Sequence, residues 1–312
     1  MKISKFFEKF KNSERFASLL SSSKTAYSGY LDKLVNLSGD CELLSELANK
    51  EPTAVEDEDG QTLTLGSPEE KISFEKNLWF NNLAKIESMS TRLMAHRVLA
   101  AVFAWGRESG LLLPGSYANM RSPKANPVDQ KPFTKEEMEK IYALTLEPSS
   151  PSSFNPYLRA GYFAFLSGMR PSEVESLRWA NISPSGFVEI FSAKHRERGK
   201  LSRLCRITDG IRGCLESLKE PGLRDGDLIF KSITGSPLNK DMRARAMKYA
   251  CEALGIEPRP FYSTRRGTAT EMFKAGYDVA KIAGQLGHKD IKTTMIYIRP
   301  SMKETAEAFR GF

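Results

Sequence analysis

The sequence predicts a mainly α-helical chain of two domains, with a small β-sheet in the second. Three observations lead there. Apolar residues recur at intervals of three and four through most of the chain. A stretch rich in Pro, Ser, Asn and Gly, with little apolar periodicity, interrupts that pattern between Pro114 and Pro132. One pair of alternating runs, FVEIFSA after Gly186 and LSRLCRIT, flanks the basic turn HRERGK as two strands of a hairpin. A length of 312 residues is enough for two separate cores. The expected boundaries are a helical domain at 1–116, a linker at 117–133, an α+β domain at 134–300 and a short terminal helix at 301–312.

Ile3, Phe6, Phe7, Phe10, Phe16 and Leu19 make residues 1–20 an amphipathic helix, broken around Asn12 and Ser13. Lys24 to Leu37 carries a second stripe. The acidic run EDEDG and the break at Gly66-Ser67-Pro68 mark 51–70 as a surface excursion with a short strand at Gln61–Leu65. A third helix starts after Pro68 and buries Ile72, Leu78, Trp79, Leu83 and Ile86. Ser90 is the expected N-cap of the next helix and Gly110 its C-cap, with Leu93, Val98, Leu99, Val102, Phe103 and Trp105 inside. His96 lies among them and is read as a packed residue.

In the second half, Thr134 and Glu137 form a capping box that opens a helix. Residues 157–169 read as a buried helix ended by Gly168, and Ser172 to Trp179 as another. Beyond the hairpin come helices at Ile211–Leu218, Asn239–Leu254, Arg265–Ala275, Asp278–Leu286 and Lys292–Tyr297. Ser301 and Glu304 open the terminal helix.

The net charge of +8 is lopsided: 17 basic and 17 acidic residues lie in 1–134, against 29 and 21 in 135–312. A polyanion engaged mainly by the second domain would explain it, as would a merely solvated basic surface. The cysteines, Cys41, Cys205, Cys214 and Cys251, have no CxxC or metal-ligand spacing, as in a reducing compartment. No apolar run approaches the roughly 20 residues of a membrane span. A soluble cytoplasmic protein is expected.

Phosphodiester chemistry without a metal requires cations on the non-bridging oxygens, a nucleophile in line and an acid for the leaving oxygen. Arginine suits the first task because its planar fork stays ionised and grips two oxygens. Tyrosine, with a free pKa of about 10, suits the second beside such cations. Four segments supply these types: LSGMRPSEVESLRW, FSAKHRERGK, YSTRRGTAT and LGHKDIKTTMIYI. Taken singly each has a plainer reading, since Tyr297 between Ile296 and Ile298 fits a core and the hairpin lysines fit a solvated turn.

Together, and in this order, they resemble the tyrosine recombinases of the phage integrase family. The resemblance runs by motif over 134–300 and more weakly over 1–122. It implies a core-binding domain followed by a catalytic domain, with Arg170 and Arg265 as the catalytic arginines and Glu173 in support. His288 stands nine residues before the nucleophile Tyr297, the family's spacing. Lys194 corresponds to the hairpin lysine that protonates the leaving 5′ oxygen, with Lys200 as the competing candidate. Tyr262 occupies the position where the family has histidine. Its hydroxyl can donate a hydrogen bond but is a poor proton shuttle near neutrality. Arg196, Arg198, Lys200 and Arg266 are the implied DNA contacts, Arg266 to a neighbouring phosphate or an acidic side chain.

The family's reaction would pass through a 3′-phosphotyrosyl intermediate without cofactor or metal. It would be carried out by a homo-tetramer on two double-stranded DNA sites, with accessory DNA-bending or directionality proteins as further partners. Integration or excision of a mobile element and resolution of DNA multimers both fit. A first domain beginning almost at Met1 suggests a simple recombinase without an arm-binding module, whose terminal helix contacts a neighbouring protomer. Tyr262 motivates the rival reading, a sequence-specific DNA-binding protein with weak or no recombinase activity. Relaxation of supercoils by the same chemistry is a third.

Overall fold

The structure, a computed structural model, describes residues 1–44, 46, 52–56, 60–123, 131–191, 202–288 and 290–298. The chain forms two compact units, Met1–Val128 and Asp129–Phe312. Lys194, Arg196, Arg198 and Lys200, and the expected terminal helix at 301–312, lie outside the described residues.

In the first unit α1 (Ile3–Lys11) and α2 (Glu14–Ala17) are separated at Asn12 and Ser13, where the Ser13 hydroxyl accepts from the Phe16 N–H. Helices α3 (Ser21–Ser38), α4 (Pro68–Ala84) and α5 (Met89–Glu108) complete the bundle. Its core holds Phe6, Phe7, Phe10, Trp79, Val102 and Phe103. Leu78 and Leu93 are only half-buried. Strand β2 (Thr62–Leu65) matches the expected Gln61–Leu65 strand, but it pairs antiparallel with an unforeseen partner, β1 (Thr53–Glu56). The cap of α5 is Ser88, not Ser90, because Ser88 has the extended backbone from which a hydroxyl can reach the Thr91 N–H. His96 is buried with its Nδ1 2.8 Å from the Tyr117 hydroxyl. The expected linker is packed at both ends: Tyr117 belongs to the first core and Phe133 to the second.

The second unit is built around α7 (Asn155–Ser167), an apolar helix opened by Pro156 in its first turn and ended by Gly168 in the left-handed conformation. Helices α6 (Lys135–Ala143), α9 (Asp209–Glu216), α10 (Lys240–Ala253) and α11 (Ser263–Lys274) pack against it. Thr134 and Glu137 close the capping box on α6. The expected Ser172–Trp179 helix is shorter: α8 spans Pro171–Glu175, and a 3₁₀ turn comes after it at Trp179–Asn181. Strands β3 (Ile182–Ser183), β4 (Phe187–Phe191) and β5 (Ser202–Arg206) form one antiparallel sheet, whose Val188 and Ile190 join the same core. Helices α12 (Val279–Leu286) and α13 (Ile291–Met295) finish the unit. Tyr297 falls just past α13 instead of inside it. No helix among the described residues is long and apolar enough to cross a membrane.

The approach of α11 to α7 depends on Gly267. A Cβ there would lie 2.3 Å from the Phe133 carbonyl oxygen and 2.7 Å from the Phe165 ring. Gly161, on the facing helix, has room: its nearest neighbours would be 3.4 Å away. Gly267→Ala is therefore expected to lower stability by about 1–3 kcal/mol, the usual cost of overpacking, despite alanine's better helix propensity. Gly161→Ala should stay within about 1 kcal/mol of wild type. Urea unfolding of both variants checks the contrast.

Candidate active site

Four backbone segments meet at one end of α7: the turn into α8, the first turn of α11, the end of α12 and the turn after α13. Arg265, in the first turn of α11, is fully buried. A charged group taken from water must have its N–H groups satisfied. Nη1 donates to the Gly168 carbonyl at 2.6 Å and Nη2 to the Leu286 carbonyl at 2.5 Å. Burial, and next the positive charge of Arg170, bring its pKa down to about 10, so it stays charged at neutral pH.

Arg170 enters from the α7–α8 turn. Glu173, three residues on, accepts from the Arg170 backbone N–H at 2.8 Å and from its Nη1 at 2.9 Å, which closes the first turn of α8. Arg170 Nη2 makes only a 3.4 Å contact to the Gly287 carbonyl. Burial alone would raise the Glu173 pKa, but the hydrogen bonds and charges of Arg203 and Arg170 outweigh it and hold the carboxylate below its ordinary range.

Arg203, on β5, is not among the residues to which the sequence motifs point. It donates from Nη1 and Nη2 to the two Glu173 oxygens at 3.1 and 2.7 Å, and from Nε to the Gln285 carbonyl at 3.0 Å. The sequence does carry a signal for it: strand alternation puts Arg203 on the face of Cys205, which is core, while Leu204 points out.

His288 comes directly after Gly287 in the left-handed turn that ends α12. Its Nδ1 lies 2.8 Å from the hydroxyl of buried Thr294, which fixes the ring. Burial, and then the charges of Arg265, Arg170 and Arg203, lower its pKa to about 4. The Tyr297 ring is 5.6 Å from the His288 ring, and its hydroxyl is 3.1 Å from that of Tyr262. Beneath it, Ala269, Ile282, Leu286 and Ile298 form a small apolar cluster, so Tyr297 rests on a core as well as facing the site. Burial and then the Tyr262 hydrogen bond push its pKa up to about 12, despite the opposing charges of Arg265 and Arg266. Arg266 lies with Cζ 5.1 Å from the Tyr297 ring centre, a cation–π contact.

Arg170, Glu173, Tyr262, Arg265, His288 and Tyr297 are thus brought together, with Arg203 added. Three guanidinium groups around one carboxylate leave a positive surplus suited to an anion. Among the described residues no group of three or more His, Cys, Asp or Glu could hold a metal.

The depressed histidine gives a direct check. Stability from keeping His288 neutral is present above the unfolded pKa of about 6.5 and is lost as pH falls towards its folded value of about 4. An NMR titration of the imidazole should show that low midpoint, and Arg170→Gln should move it upward by removing a positive neighbour. A midpoint near 6.5 in both proteins would contradict the electrostatic account.

A model of the phage integrase family matches residues 131–304. Tyrosine recombinase XerD of Listeria monocytogenes serotype 4b is 22% identical over 241 residues, covering 75% of this chain and 80% of that protein. Tyrosine recombinase XerC of Xanthomonas axonopodis pv. citri is 23% identical over 230 residues, covering 72% and 70%. Among solved structures, the lambda integrase tetramer bound to a Holliday junction shares the fold, with a TM-score of 0.69 at 16% identity over 96% of this chain and 77% of that one. Since the family match extends from before α6 to beyond Tyr297, over more than half of the sequence, the chain belongs to the phage integrase family.

Proposed function

We infer that this chain is a tyrosine-type site-specific DNA recombinase with Tyr297 as its nucleophile. The observation that carries the reading is the convergence of Arg170 and Arg265, from segments far apart in sequence, on His288, whose ring packs against that of Tyr297. The scissile phosphodiester occupies the positive surplus. Arg170, the more exposed of the two arginines, holds its non-bridging oxygens, buried Arg265 adds its positive charge from beneath, and His288 donates from the ring nitrogen that Thr294 leaves free. Tyr297 is protonated at neutral pH, so its proton leaves as the new bond forms, relayed through the Tyr262 hydroxyl, which takes it only as it gives its own proton to solvent water. The tyrosine oxygen bonds to phosphorus, the phosphorus–O5′ bond breaks, and Lys194 protonates the departing oxygen. A 3′-phosphotyrosyl link and a free 5′-hydroxyl result. A partner strand's 5′-hydroxyl then reverses the step and restores Tyr297. Joining two duplexes this way requires a multimer, and a tetramer on paired sites is the assembly we propose, acting on double-stranded DNA in the cytoplasm with any accessory proteins its sites demand. Excision or integration of a mobile element and resolution of multimers are the two uses this chemistry serves.

A duplex nicked next to the cleavage position traps the covalent step. Wild type should yield a protein–DNA adduct and Tyr297→Phe none; absence of adduct with wild type would leave a DNA-binding protein. Tyr262→Phe keeps the ring and removes the hydroxyl. If that hydroxyl relays the proton, adduct formation should slow by about 100-fold or more, with DNA affinity unchanged. An unchanged rate would exclude Tyr262 from proton transfer.

A further inference from the structure

We propose that Arg203 is a positioning residue for this reaction: it holds the Glu173 carboxylate in a fixed fork, so that Arg170 keeps one edge of its guanidinium for the scissile phosphate. The inference rests on the recombinase reading.

The orientation of β5 is the first ground. Leu204 is 60% exposed while its neighbour Arg203 points inward, its side chain only 14% exposed. Such an inversion is not explained by stability, because a buried ion pair gains little over apolar packing. The geometry is the second. Both Glu173 oxygens are taken by the two Arg203 terminal nitrogens, and Nε is taken by Gln285, so every Arg203 nitrogen is engaged by protein. Arg170 is the more exposed cation, at 29%, and its Nη2 has only a long carbonyl contact. Two arginines therefore share one carboxylate unequally: each of the three Arg203 nitrogens donates to a close protein acceptor, whereas Arg170 Nη2 has only a long contact. Without Arg203, Glu173 would be free to take both terminal nitrogens of Arg170 in a fork of its own and cancel its charge.

The third ground is Gly287. A Cβ there would lie 3.0 Å from Arg203 Cδ and 3.1 Å from its Nη1, so the Arg203 side chain fills the space beside the turn that carries His288. One side chain thus braces the Arg170–Glu173 turn and the Gly287–His288 turn. A lysine could keep the charge but could not span both Glu173 oxygens and the Gln285 carbonyl at once.

The test compares adduct formation on the nicked duplex for wild type, Arg203→Gln, Arg203→Lys, Glu173→Gln and the double variant Glu173→Gln/Arg203→Gln. Arg203→Gln should slow cleavage by about 10- to 100-fold, with DNA affinity within about threefold of wild type, and Arg203→Lys should recover part of the loss. In the Glu173→Gln background, where no carboxylate can capture Arg170, the same Arg203→Gln change should cost less than about threefold. That non-additivity separates positioning through Glu173 from direct contact with the phosphate. The double variant leaves no unpaired buried charge, so the comparison survives if Arg203→Gln alone fails to fold. A near-wild-type rate in Arg203→Gln, or an equal loss with and without Glu173, overturns the inference alone. A wild-type chain that forms no adduct overturns the recombinase reading and the inference with it.

Discussion

The site depends on one guanidinium group placed where water cannot reach it. Arg265 is fully buried, and its charge is tolerable only because the carbonyls of Gly168 and Leu286 accept from its terminal nitrogens. Those carbonyls are available because α7 and α12 both end there, each on a glycine in the left-handed conformation. A helix C-terminus leaves its last carbonyls without intrahelical partners. Two such ends facing one arginine engage both of its terminal nitrogens, while its Nε stays buried without a hydrogen-bond partner. The arrangement also positions the residue beyond each helix end: Arg170 two residues after Gly168, and His288 directly after Gly287. Close packing at Gly267 then sets how far α11 carries Arg265 towards them.

Much of this is legible in the sequence. Arg170, Arg265, His288 and Tyr297 stand in local patterns, a helix stop before an arginine, or a histidine at fixed spacing from tyrosine, and such patterns survive without tertiary knowledge. The α-helical class emerges from apolar periodicity, because helices buried on one face must show it. The features that stay hidden depend on contacts between distant segments. Arg203 reads as one more charge in a basic turn until the sheet's inner face is known. Strand β1 hides beside an acidic run that looks like a solvated loop, and only its register with β2 reveals it. Ser88 and Ser90 are chemically identical as caps, so backbone angles decide between them. The end of α8 is equally unwritten, since five residues are too few to establish a period.

The substitution at position 262 changes the chemistry more than the architecture. A histidine there would titrate near neutrality and could carry a proton away, whereas a phenol holds its own too tightly. The 3.1 Å contact between the Tyr262 and Tyr297 hydroxyls makes the two phenols one hydrogen-bonded unit, with Arg266 over one of its rings. Such a pair can pass a proton along without either oxygen becoming a free phenolate, provided something beyond Tyr262 accepts it.

In the proposed reaction the two titrating ends of the site would respond to DNA in a common way. In the free protein burial and then the arginines hold His288 uncharged, and burial with the Tyr262 bond keeps Tyr297 protonated. A bound phosphodiester adds one negative charge among those arginines. It offsets their effect on both groups, raising the histidine pKa and making the imidazole a stronger donor to the phosphate. The same negative charge disfavours phenolate, so Tyr297 does not become a free anion when DNA binds. In the proposed reaction deprotonation would then accompany attack, when negative charge moves from the tyrosine oxygen onto a phosphate held by Arg170 above the buried charge of Arg265. On that proposal the cluster would favour the transition state over a resting phenolate, which is the differential binding that catalysis requires.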